Sequence, residues 1–125
     1  MTYHTLALVT CVAALLLGIG WLFAGKLMLR RWRIESSVGA LLVGRRIGVI
    51  YLSVALLFLL TRTTELPELI TIVSTFAMLA NALLAGLGLY EYRTRRAGPA
   101  ILVSVAFELL LVVGFGSLLL APAGT

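Results

Sequence analysis

Acid, lysine, cysteine and histidine are all scarce in this chain, and each shortage removes a class of activity. Asp and Glu together number 5 of 125 residues. Cys11 is the only cysteine, so it has no partner for an intramolecular disulfide and no second thiol for a metal site. His4 is the only histidine and lacks co-ligands, so metal binding through it is not expected. There is no nucleophile elbow, no Cys-x-x-Cys, no metal-ligand pair and no Gly-rich phosphate loop ahead of a helix. The chain is therefore not expected to be an enzyme or to carry a cofactor.

Apolar residues fill the space that charge leaves. They make up 62% of the chain against 12% charged, with a mean hydropathy of +1.12. A soluble core of this size could not bury that fraction, so the composition points to an integral membrane protein with a single domain, residues 1–125. The formal net charge of +5 would invite a nucleic-acid reading in a soluble protein. Here the basic residues are confined to short segments between apolar runs, where they set topology and meet lipid headgroups; nucleic acid is not an expected partner. Lys26 is the only lysine, against many arginines, and with abundant Leu, Ala and Gly the composition resembles that of proteins from GC-rich bacterial genomes. A bacterial inner membrane is the expected location.

Hydropathy predicts an all-α four-helix membrane bundle with spans at approximately 5–25, 43–62, 67–90 and 99–120. Met1 to His4 carries no Lys or Arg and no small-residue cleavage site follows, so the first span is expected to be retained. The second span is the least clear, because the apolar run after Arg46 is short; its helix could start earlier, near Val38, with Arg45 and Arg46 snorkelling to headgroups. The third opens on Glu65 and Pro67, a helix-start signal. The fourth follows Gly98 and Pro99 and ends near Leu120, with a frayed tail at Ala121, Pro122 and Gly124. The segment from Lys26 to Gly44 is expected to extend span one, anchored by its arginines; a short amphipathic helix at the membrane surface is the alternative.

Arginine placement orients the bundle. Arg30, Arg31, Arg33, Arg45 and Arg46 lie between spans one and two, and Arg93, Arg95 and Arg96 between spans three and four. The intervening loop has only Arg62, opposed by Glu65 and Glu68. The first and third loops are thus expected inside and both termini outside. Tyr90 and Tyr92 fit an aromatic belt on the inner side, and Trp21 and Trp32 bracket the inner end of span one.

The segment from Ala14 to Gly20 resembles that from Ala82 to Gly88, Arg45 to Gly48 resembles Arg95 to Gly98, and Ser53 to Ala55 resembles Ser104 to Ala106. These matches are compatible with two tandem helical hairpins related by an axis along the membrane normal, and equally with chance among Leu, Ala and Gly. Gly44 and Gly48 form a small-xxx-small pair through which a second helix can approach.

One residue stands out chemically. Glu108 lies in the apolar run from Pro99 to Leu120, about 14 Å in from Pro99 at the rise of a helix. Asn81, counted back from Leu89, lies about 12 Å in and belongs to a stripe of Thr71, Ser74, Met78, Asn81, Ala85 and Gly88 expected to face other helices. Ser104 is one turn from Glu108, on a face continued by Leu111 and Phe115. Glu108 is expected to be protonated and hydrogen-bonded to Asn81 or Ser104, since a charged acid at that depth is costly. A second acid, an intramembrane Lys or Arg, or a His in the spans would be needed for a proton relay, and none is present.

In size and layout the chain resembles small bacterial four-helix membrane families such as the DoxX-like group. It also invites comparison with the small multidrug resistance transporters, which depend on one membrane acid in their first helix; here the first span has none and Glu108 is in the fourth, so no residue role carries over. The expected function is that of an accessory or interaction component, with membrane lipids, a partner membrane protein or a second copy as partners. The alternative is a small transporter or lipophilic-ligand binder using Glu108, Asn81 and Ser104.

Overall fold

In lipid every backbone amide and carbonyl must find a partner within the chain, and apolar runs of this length satisfy that requirement as helices. The computed structural model describes residues 2–120, so the expected tail lies outside the described residues. It contains α1 (Tyr3–Phe23), α2 (Gly25–Arg31), α3 (Val38–Thr61), α4 (Pro67–Arg93) and α5 (Ile101–Leu120), with no strand among the described residues. All but α2 are long and apolar enough to cross a membrane. The protein is an all-α, multi-pass bundle.

Caps explain where the boundaries depart from hydropathy. Helix α3 takes the earlier of the two expected starts, Val38 rather than 43, because the Ser37 hydroxyl accepts the Ala40 amide at 3.0 Å and closes the first turn. That gives a helix of about 36 Å, long enough to span, with Arg45 and Arg46 in its first half. Helix α4 starts at Pro67 as expected but runs on to Arg93, a turn beyond 90. Helix α5 starts at Ile101 rather than 99.

The segment after span one does not continue it. Ala24 leaves the helical region (φ −133°, ψ 41°), and α2 turns so that Met28 and Leu29 become buried while Leu27 stays exposed. Met28 packs over Gly20, where a Cβ would lie 2.9 Å from its sulfur. Burying these two side chains against α1 and α3 outweighs one broken helical turn.

The long helices pair as two hairpins, α1 along α3 and α4 along α5. In the first pair the backbones nearly touch: a Cβ on Gly48 would lie 2.9 Å from the Gly18 carbonyl oxygen, and one on Gly44 would lie 2.6 Å from the Trp21 ring. The small-xxx-small pair thus receives α1 of the same chain. In the second pair the close approach is at Gly88, against Val105, while Gly86, the residue matching Gly18, faces open space. The pairing is that of tandem hairpins, but the contacts are not repeated.

The two pairs meet at both ends. Leu6 of α1 packs into the space left by Gly114 of α5, and the tilted rings of Phe58 and Phe115 meet at 5.8 Å, inside a core that draws on all four long helices. At the arginine-rich end the Gly98 amide donates to the Trp32 carbonyl at 2.8 Å. At the opposite end Thr61 spends its proton on the Leu57 carbonyl, so the Tyr3 hydroxyl donates to Thr61 Oγ1 at 2.8 Å and ties the start of α1 to the end of α3.

Substituting Gly48→Ala should force α1 and α3 apart and destabilise the protein by about 1–3 kcal/mol, because a backbone oxygen cannot swing away. Gly86→Ala, with nothing nearby, should be neutral or stabilising by up to about 1 kcal/mol. Thermal unfolding of both variants in one detergent checks the contrast.

Candidate functional site

Helix α5 aims its polar residues as its periodicity predicts. Leu111 and Phe115 are buried, and Ser104 and Glu108 on the same face are half-buried. On α4, Ser74, Ala85 and Gly88 are buried, Met78 and Asn81 partly so, and Thr71 is exposed. The seam is therefore real except at its outermost residue.

The expected hydrogen bond from Glu108 to Asn81 or Ser104 is not formed. Glu108 Oε2 is enclosed without a partner, and the Asn81 amide instead donates to the Ala77 carbonyl of its own helix at 2.8 Å. Helix register explains the miss. Gly88 sits against Val105 and Gly116 against Met78, so interpolation along the antiparallel pair puts Glu108 level with Ala85 and Asn81 level with Val112 or Val113. The two polar groups stand about 6 Å apart in depth, one helical turn. The depth count placed them together because it took Leu89 as the helix end, whereas α4 continues to Arg93.

Three polar side chains enter the interior that hydropathy did not single out as functional. Tyr51 on α3 is partly buried against the core. Thr10 on α1 and Ser74 on α4 are buried hydroxyls without hydrogen-bond partners. Each is seven residues into its helix from the end that carries the chain termini, about 10 Å deep, with Tyr51 about 15 Å and Glu108 about 18 Å from that end. Ser74 lies on the stripe that spacing predicts, whereas a lone polar group in an apolar run carries little signal, so only the packing reveals Thr10 and Tyr51.

No family model, curated protein or solved structure matches this chain. What the site can do must therefore be read from its own groups. Among the described residues no cluster of three or more His, Cys, Asp or Glu could hold a metal ion. His4 Nδ1 donates to the Arg62 carbonyl at 3.1 Å, which occupies that ring nitrogen.

The predicted interface arginines, Arg30, Arg31, Arg33, Arg45, Arg46, Arg93, Arg95 and Arg96, are all exposed. Arg31 lies over the Trp32 ring at 5.6 Å. Arg96 lies over Tyr90 at 5.4 Å and pairs with Glu91 at 3.7 Å, the only ion pair among the described residues. Two pockets open at this end, of about 470 Å³ beside Arg33 and Arg95 and about 320 Å³ between Trp21, Lys26 and Arg45.

A carboxyl that locks helices together stabilises them, whereas an enclosed carboxyl oxygen without a partner is a liability. Glu108→Leu should therefore unfold at the same or a higher temperature than the parent chain, with a gain of about 1 kcal/mol. A loss of similar size in detergent unfolding would make Glu108 a structural lock.

Proposed function

We propose that this protein is an accessory or interaction component of a bacterial inner-membrane system, with its arginine-rich loops in the cytoplasm and its termini outside. The observation that carries the reading is the state of Glu108. Its carboxyl makes no hydrogen bond among the described residues, and although one oxygen is enclosed the residue as a whole is only half-buried, so its remaining surface is open to a partner. An acid left in this condition within the bilayer calls for a polar group from outside the chain. Val103, Leu110 and Val113, which expose most of their area, form the opposite, lipid-facing side of α5, so a partner would meet Glu108 at the edge of the inner face. Orientation is supported by the exposed arginines on the first and third loops.

A second reading rests on the interior hydroxyls. Thr10, Ser74 and Tyr51 lie at successive depths between the outer end and the level of Glu108, as a small transporter or lipophilic-ligand binder would need.

The readings separate on one conservative substitution. Glu108→Gln should leave the protein level unchanged and reduce co-purification of a membrane partner in mild detergent by about tenfold if an ionisable or proton-donating contact of about 1.4 kcal/mol is lost. If partner recovery stays the same while pH-dependent ligand binding disappears, the transporter reading replaces the first.

A further inference from the structure

Arginine is an unusual choice for the two backbone positions that close the helices at the arginine-rich end. After α2 the Ile34 amide donates to the Leu29 carbonyl and the Arg33 amide to the Arg30 carbonyl; after α4 the Arg96 amide donates to Glu91 and the Arg95 amide to Tyr92. Both are Schellman closures, which place one residue in the left-handed region, and glycine is the usual occupant. Here the occupants are Arg33 (φ 58°) and Arg95 (φ 62°), where a side chain is disfavoured. Both line the same pocket.

The fold assembles that pocket from distant segments. The Gly98 amide binds the Trp32 carbonyl, and Gly98 has no Cβ to strike the Arg33 stem, which would lie 2.8 Å away at Cδ. Arg33 is thereby set across from Arg93, Arg95 and Arg96 around a space of about 470 Å³, with Tyr92 at its rim. No carboxylate lines it, and of these four arginines only Arg96 has an ion pair. Guanidinium forks match phosphate oxygens in pairs, and basic pockets between membrane helices at headgroup depth suit lipid phosphates.

We propose that this pocket is a binding site for a phosphate group, presented by an anionic lipid headgroup or free in solution. It stands apart from the role of Glu108. Strained backbone at Arg33 and Arg95 is retained because both guanidinium groups serve the bound anion. The depth of the pocket, between the last turn of α4 and the start of α5, favours the lipid source.

The full chain in mild detergent, titrated with cardiolipin and with phosphatidylcholine and followed by native mass spectrometry, tests the proposal. Arg33→Gly/Arg95→Gly should weaken cardiolipin binding about tenfold or more, through lost charge-assisted hydrogen bonds, while unfolding without lipid at the same or a higher temperature. Arg93→Gln, which leaves both closures intact, should weaken binding in the same direction. The charge-matched Arg30→Gln/Arg46→Gln should bind as the parent does. Displacement of cardiolipin by millimolar inorganic phosphate would confirm the phosphate site and assign its source to solution. Unchanged cardiolipin binding in Arg33→Gly/Arg95→Gly, an equal loss in the charge-matched variant, or equal binding of phosphatidylcholine would each overturn the proposal. So would stronger competition by a poly-glutamate peptide than by any phosphate compound, since the site would then serve an acidic protein segment.

Discussion

The contact between Gly18 and Gly48 is the constraint on which the rest of the structure depends. Lipid tails are as apolar as the side chains they surround, so apolar helices gain little from hiding from them and associate through close packing. Where α1 and α3 cross, the absent side chains let one helix's carbonyl reach the other's backbone. Gly44 lies one turn from Gly48 and admits the Trp21 ring on the same face.

From that crossing a chain of contacts leads to the surface. Trp21 meets Trp32 in a tilted ring contact at 5.9 Å, which holds α2 and its closing turn against the first pair. The Trp32 carbonyl then takes the Gly98 amide, and the second pair is docked by its loop. Arg33 reaches the loop arginines only because each preceding contact is in place. The interior polar groups depend on the same packing from the other side, where Leu6 against Gly114 and Phe58 against Phe115 set α5 and its Glu108 against the first pair.

Much of this was legible in residue order. The four spans follow from runs of apolar residues that only helices can carry through lipid. The seam of α4 and the inner face of α5 follow from three- and four-residue spacing, and Ser74, Ala85, Gly88, Leu111 and Phe115 are buried accordingly. Less visible were the details that depend on caps. Ser37 selects the earlier, Val38 start of α3 that the short apolar run had left open, and the extra turn of α4 shifts Asn81 away from Glu108. A depth count is only as good as the helix end it starts from, and one turn is the distance between a hydrogen bond and none.

Sequence alone determined the class of this protein, the number of its spans, the acid within the fourth and the arginines at one end, because hydropathy and charge act locally along the chain. Tertiary structure decided that the paired small residues meet within one molecule, that Asn81 bonds its own helix rather than Glu108, and that Arg33 joins arginines some sixty residues away. Each of these is a relation between segments far apart in the chain. Such relations are set by register and close packing, and in a sequence rich in Leu, Ala and Gly many registers look alike until the helices are brought together.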